Sequence, residues 1–237
     1  VIYPANDTAL KSVIKKGLWS ESQTFGPEGQ WQSKNLAADG SHFALYDGDT
    51  QVAEVQWGMS GQHNVSNAIG AMLAARHVGV TPEVSARALA EFKGVKRRLE
   101  CIADIHSVKV YDDFAHHPTA IHTTLEGLRA RVGDDKIIAI IEPRSNTMRL
   151  GTHKKALAPS CVHADDVLWY QPPHTDWDMH EVVNSSPVPA KLYHELDTLI
   201  HDTLALAEAD THIVIMSNGS FEGLHQKLVQ QLTKHAM

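Results

Sequence analysis

Five consecutive residues, Ile137-Ile138-Ala139-Ile140-Ile141, carry no polar side chain. Successive side chains of a strand point to opposite faces, so this run has no face to give to water. It predicts a strand covered on both sides, the condition of a parallel sheet flanked by helices. The surrounding pattern agrees. After about residue 95, strand-like runs near Val108–Tyr111, Lys136–Ile141, Asp166–Tyr170 and His212–Met216 alternate with helical patterns near Thr119–Val132, His153–Ser160, Glu195–Glu208 and Glu222–Lys234. That repetition predicts βαβ units and an α/β fold with a mostly parallel sheet.

Before residue 95 the pattern is shorter and more mixed. Val1-Ile2-Tyr3 reads as a strand entered midway, with no initiator Met, so the chain is expected to be the C-terminal part of something longer. Asp7-Thr8 caps a predicted helix through Lys16, with Leu10, Val13 and Ile14 as its stripe. Two alternating runs, His42–Tyr46 and Gln51–Val55, flank Asp47-Gly48-Asp49 as a hairpin. Trp19, Trp31 and Trp57 are expected to be packing residues. Gly61 leads into a helix reaching about Val78, with Val65, Ile69, Met72 and Leu73 on its apolar face. His63 and Asn67, four apart, project from one side of its first turn. Thr81-Pro82 opens another helix that ends at Lys93-Gly94. The cations Lys96-Arg97-Arg98 follow, so a domain junction is expected there, dividing the chain into 1–94 and 95–237.

Composition excludes several classes. A formal charge of −7 over 237 residues gives no basic stripe for nucleic acid. No segment approaches the roughly 18 apolar residues of a membrane span, and no signal peptide opens the chain. Cys101 and Cys161 lie far apart with no CxxC spacing, which fits a reducing compartment.

The chemistry gathers at predicted strand ends, where open α/β sheets form their crevices. Asp112-Asp113-Phe114-Ala115-His116-His117-Pro118 follows one strand. Glu142-Pro143-Arg144-Ser145-Asn146-Thr147-Met148-Arg149 follows a second, and Ser217-Asn218-Gly219-Ser220 a third. Each has a bland reading: a capped polar loop for the first, surface ion pairs of small worth for the arginines. Three such loops on one sheet edge favour a site. Metal clusters were weighed at His116-His117 with His122 and at Cys161 with His163. Adjacent histidines point apart and no further ligand lies at helical spacing from His117, so no metal residue is assigned.

Taken in order, Gly61-Gln62-His63-Asn64-Val65-Ser66-Asn67-Ala68, Lys96-Arg97-Arg98-Leu99-Glu100 and Asp112-Asp113-Phe114-Ala115-His116-His117-Pro118 resemble the Mur ligases, the ATP-dependent ligases of peptidoglycan stem-peptide assembly. The resemblance implies that 1–94 is the C-terminal part of the central ATP-binding domain and 95–237 a complete Rossmann-like C-terminal ligase domain. The Glu142–Arg149 loop and Met216-Ser217-Asn218-Gly219 are most similar to the branch that joins the tripeptide L-Ala-γ-D-Glu-meso-diaminopimelate to UDP-N-acetylmuramate. ATP, Mg²⁺, a cytoplasmic location, those two substrates and the missing N-terminal domains are the cofactors and partners implied; nucleic acid and membrane are not.

Residue by residue, the resemblance implies adenosine contacts from His63 and Asn67, phosphate contacts from Arg98 with Arg97 as its near alternative, and nucleotide contacts from Asp112 and Asp113. Asp113 is expected to accept the ribose hydroxyls. His116 is the implied catalytic residue. Arg144, Asn146, Arg149, Ser217, Asn218 and Gly219 are the implied peptide-binding set. Phe114 departs from the Tyr of several members and offers stacking without a hydroxyl. No GxxxxGK[ST] phosphate loop occurs in the sequence, so the chain by itself is expected to be inactive. The alternatives are a UDP-N-acetylmuramate–L-alanine ligase, which has the same Asp-Asp-x-x-His-His-Pro pattern, and a non-catalytic nucleotide-binding Rossmann module, which lacks its usual GxGxxG here.

Overall fold

The computed structural model describes residues 1–143, 154–171 and 178–235. The chain forms two compact units, Val1–Gly94 and Val95–Met237.

In the first unit, β1 (Ile2–Pro4), β2 (Gln23–Phe25), β3 (Trp31–Asn35), β4 (His42–Asp47) and β5 (Thr50–Gln56) form one sheet in sequence order. The first three strands run parallel, and β3 to β5 are antiparallel. Gly48, at φ 57°, makes the tight β4–β5 turn where a side chain would be strained. Helix α1 (Thr8–Ile14) is capped by Asp7, whose carboxylate accepts from the Leu10 N–H. The long helix α2 (Gln62–His77) buries Val65, Ile69, Met72 and Leu73 against Trp31, Phe43, Leu45 and Val55. Helix α3 (Pro82–Ala90) completes the unit, with Pro82 in its first turn.

Two expectations fail here. Trp19 is 93% exposed, and Leu10 and Val13 of α1 are exposed as well. Apolar character and helical spacing show which face could be buried, yet of that stripe only Ile14 is partly covered. Trp31 and Trp57 do pack, Trp57 meeting Phe43 edge-on and donating Nε1–H to the Gly40 carbonyl at 3.0 Å.

The second unit is built on six strands: β6 (Glu100–Ile105), β7 (Val108–Asp113), β8 (Ile137–Ile141), β9 (Asp166–Tyr170), β10 (Ala190–Tyr193) and β11 (His212–Met216). Their spatial order is β10-β9-β8-β11-β7-β6. All neighbours are parallel except the β6–β7 pair. The helices are α4 (Pro118–Val132), α5 (Lys154–Leu157) with a 3-10 turn at Ala158–Cys161, α6 (His180–Asn184), α7 (Leu196–Leu206) and α8 (Leu224–His235) after a 3-10 turn at Phe221–Gly223. The α/β fold with a mostly parallel second sheet is the one expected.

Strand β8 shows why its all-apolar sequence is needed. Ile137, Ala139 and Ile141 face one core with Ile121, Leu125 and Leu128 of α4, while Ile138 and Ile140 face the other with Leu199 of α7 and Leu224 and Leu228 of α8. All five residues are fully buried. The helices leaving β7 and β11 therefore go to opposite faces, and the same holds for β8 and β11. A crevice opens at the carboxyl end of β11 for that reason. Register places Asp113, Met216 and Ile141 side by side there.

Candidate active site

The residues just beyond those three aligned strand ends are Phe114, Ser217 and Glu142. The ladder continues past them: Ser217 N–H donates to the Asp113 carbonyl at 3.1 Å and Glu142 N–H to the Met216 carbonyl at 3.0 Å. Ser217 Oγ donates to Glu142 at 2.5 Å and accepts the Gly219 N–H at 2.9 Å. Ser217 and Glu142 are almost completely buried. Ser217 was expected to offer its hydroxyl to a ligand; both sides of that hydroxyl instead fold the loop after β11 onto the end of β8.

Residues 95–100 strap across this edge. Arg97 sits at φ 59° and Leu99 at φ 49°, a left-handed backbone that costs a non-glycine residue about 1–3 kcal/mol. Hydrogen bonds hold it there. Arg97 N–H donates to Glu100 at 2.9 Å, Leu99 N–H to Asp113 Oδ2 at 2.6 Å, and Phe114 N–H to the Arg97 carbonyl at 2.8 Å. Asp113 Oδ1 accepts the Ala115 N–H at 2.7 Å.

Asp113 is thus 3% exposed with each oxygen already accepting a backbone N–H. The expected open acceptor for ribose hydroxyls is, in this structure, the knot that ties the strap and the α4 entry loop to β7. Burial pushes its carboxyl above the ordinary range, against the opposing pull of the two N–H groups and Arg98.

The adjacent arginines divide the work. Arg97 Nη2 donates to the Ser217 carbonyl at 2.6 Å and to the Gly219 carbonyl at 3.0 Å, and Nε lies 3.2 Å from Asp112. The expected phosphate alternate is a bracket between the strap and the β11 loop. Arg98 is exposed, 5.6 Å over the Phe114 ring; its backbone N–H donates to the Val95 carbonyl at 3.2 Å, and its guanidinium has no hydrogen bond or ion pair among the described residues. Phe114 also carries Arg97, at 5.2 Å, so its ring serves both guanidinium groups as a stacking surface.

Asp112 lines a cavity of about 520 Å³ with Arg97, Gly219, Ser220, Gly223 and His225, a size suited to a small ligand. His225 Nε2 is 3.1 Å from Asp112 Oδ1 without hydrogen-bond alignment. Sequence reasoning missed His225. It stands at the start of the helix following a strand end, which was the available signal. Asn218 Oδ1 is buried and has no hydrogen-bond partner among the described residues, an acceptor left for something else.

His116 Nδ1 lies 2.9 Å from the Phe114 carbonyl. A carbonyl only accepts, so the proton is on Nδ1, and a neutral ring then presents its lone pair at Nε2. His117 instead caps α4, its Nδ1 accepting the Thr119 N–H at 3.3 Å, with Pro118 in the first turn. His63 and Asn67 are exposed on α2 in the first unit. Arg144, Asn146 and Arg149 lie outside the described residues.

The carboxyl edge of this parallel sheet thus gathers an arginine strap, a cavity bordered by Asp112 and His225, and His116 at the entrance to α4. Residues 97–219 match the family described as Mur ligase, glutamate ligase domain, and the chain belongs to the Mur ligase family. The UDP-N-acetylmuramate–L-alanyl-gamma-D-glutamyl-meso-2,6-diaminoheptandioate ligase of Escherichia coli K12 is 47% identical over all of this chain and 52% of its own length. The protein of the same name from Haemophilus influenzae is 42% identical over 98% of this chain and 51% of its own. A murein peptide ligase from Psychrobacter arcticus superposes with a TM-score of 0.71 at 41% identity, over 98% of this chain and 51% of that one. The chain spans about half the length of these relatives.

Proposed function

We propose that this chain supplies the peptide-accepting half of a cytoplasmic, ATP-dependent ligase that joins L-Ala-γ-D-Glu-meso-diaminopimelate to UDP-N-acetylmuramate. The observation that carries the reading is the 47% identity along the whole chain to a ligase bearing that substrate name. Residues 1–94 are assigned to the end of the central ATP-binding domain and 95–237 to the C-terminal ligase domain. A chain without a phosphate loop needs its upstream domains for turnover.

In the reaction, the γ-phosphoryl of ATP passes to the muramate carboxylate and ADP leaves. The alanine amine of the tripeptide attacks the acyl phosphate carbon, the C–O bond to phosphate breaks, and the nitrogen sheds a proton. His116 Nε2 is the acceptor for that proton, its tautomer set by the Phe114 carbonyl. Arg98 is the cation for the phosphates, freed for it because Arg97 holds the loops together. Asp112, on the cavity wall, is the carboxylate that faces the nucleotide, and Asp113 positions the strap that presents Arg98. Asn218 Oδ1 is an acceptor for a peptide N–H. His63 and Asn67 are retained as adenosine contacts, and Arg144, Asn146 and Arg149 as carboxylate contacts, on the resemblance alone.

Mg²⁺ accompanies ATP in this reading and supplies charge neutralisation when bound. It needs hard oxygen donors. Among the described residues, the group whose ligand atoms converge is His122, Glu126 and His163, a nitrogen-rich set unsuited to it. No Mg²⁺ ligand is assigned to this chain.

The test is ATP-dependent phosphate release by the full-length polypeptide with UDP-N-acetylmuramate and either tripeptide or L-alanine. Preference for the tripeptide is expected. Preference for L-alanine would overturn the reading in favour of UDP-N-acetylmuramate–L-alanine ligase.

A further inference from the structure

Outside the carboxyl edge, a second cluster has the makings of a ligand site. His122 and Glu126 lie one helical turn apart on α4, so both project from the same side. His163 comes from the segment between the 3-10 turn at Ala158–Cys161 and β9. Ligand atoms of the three side chains all lie within 4.8 Å of one another. The two imidazole rings are 5.0 Å apart at 50°. From sequence, His122 was grouped with His116 and His117, and His163 with Cys161. The i to i+4 partner of His122 lies forward instead, at Glu126. Cys161 is fully buried with its sulfur toward the Leu157 carbonyl.

The surroundings leave the carboxylate available. Arg129, three residues on, is the natural helical partner for Glu126. Its guanidinium is spent elsewhere: Nε on the His163 carbonyl, Nη1 on the Gly133 and Asp135 carbonyls, and Nη2 on Asp165. The first of these bonds also fixes the backbone of His163 against α4. The histidines are half-buried and Glu126 is exposed, so a cation can enter from solvent.

We propose that His122, Glu126 and His163 form a site for a borderline divalent transition metal of the Zn²⁺ class, cross-linking α4 to the segment that enters β9. Two imidazoles and a carboxylate are a ligand set that Zn²⁺ accepts and Mg²⁺ does not. Tetrahedral ligation at about 2.0–2.1 Å sets donors roughly 3.4 Å apart. The present donors, within 4.8 Å of one another, would close to that spacing on binding. Three protein ligands leave a fourth position for water or a ligand atom.

The sequence holds 16 histidines, so the test must locate the metal and not merely detect it. The chelator-treated chain is titrated with Zn²⁺ by calorimetry, and its melting temperature is followed in parallel. The expected result is one equivalent bound at micromolar affinity or tighter, a raised melting temperature, and no competition from millimolar Mg²⁺. Circular dichroism checks that the exposed Glu126→Gln and the half-buried His163→Gln variants fold, and each should weaken binding roughly tenfold or more. Undiminished affinity in the His122→Gln/His163→Gln double variant, or no saturable binding by the unaltered chain, overturns the site. Neither readout depends on ligase activity.

Discussion

The two edges of the second sheet are both polar and both hollow, yet they are built differently. At the amino edge a cavity of about 370 Å³ is lined by Tyr111, Arg131, Asp135 and His212 among others. Its groups answer one another. Tyr111 Oη meets His212 Nδ1 at 3.0 Å, and Asp135 lies 3.4 Å from His212 Nε2. The Tyr111 and His212 rings stack at 5.9 Å. Left-handed backbone occurs at both edges, at Ser107 and Asp210 beside this cavity and at Arg97 and Leu99 at the other, but at the carboxyl edge Asn218 keeps an unpartnered buried oxygen and the Arg98 guanidinium is uncommitted among the described residues. Satisfied polar groups hold a fold together; a buried unsatisfied one points to a ligand. Size alone does not separate the two cavities; on the wall of the carboxyl-edge one, His225 Nε2 is left without a hydrogen bond among the described residues.

Mutations can break that contrast. The largest effect on stability is expected from Asp113→Ala, which removes a buried acceptor from two backbone N–H groups. It should cost about 3 kcal/mol in urea denaturation, since bonds to a charged group are worth roughly 1.5–3 kcal/mol each. A loss near zero would mean that the strap holds its shape without Asp113. At the amino edge, Tyr111→Phe removes one hydrogen bond and should cost about 1 kcal/mol. Phosphate release by the full-length enzyme should be unchanged; a fall in turnover would make that edge functional too.

Titration of His212 should give a smaller effect. Burial holds its imidazole below the ordinary value of 6.5, with Asp135 pulling the other way. The unfolded chain therefore takes up a proton first, and stability should decline as pH falls through about 6.5. His212→Gln should flatten the slope between pH 7 and 5. An unchanged slope would assign it to other groups.

Arg98→Ala sharpens the comparison at the small end. Exposed and unpaired among the described residues, it should change stability by no more than about 0.5 kcal/mol. ATP-dependent turnover of the full-length enzyme should nevertheless fall by roughly a hundredfold. Arg97→Lys should do the reverse in kind, losing stability first because one ammonium cannot reproduce the fork onto Ser217 and Gly219.

Strands covered on both faces were legible because burial writes itself locally. Asp166–Tyr170 and His212–Met216 match their runs residue for residue. The two edge strands were missed. Glu100–Ile105 and Ala190–Tyr193 each pair on one side and mix exposed with partly buried positions, which gives no run to read. The Asp112–His117 stretch, read as a loop, starts inside β7, since pairing with β11 carries the ladder through Asp113.

Sequence order alone determined the alternation of strands and helices, the strand ends where polar residues collect, and the family those residues belong to. Each depends on near neighbours in the chain, where periodicity and composition act. Tertiary structure decided which of two adjacent arginines is bracket and which is free, and turned Asp113 inward. It also brought His225 to Asp112, 113 positions away, and His163 to His122 and Glu126. Those outcomes rest on hydrogen bonds and contacts between residues far apart in sequence, and no local pattern encodes their partners.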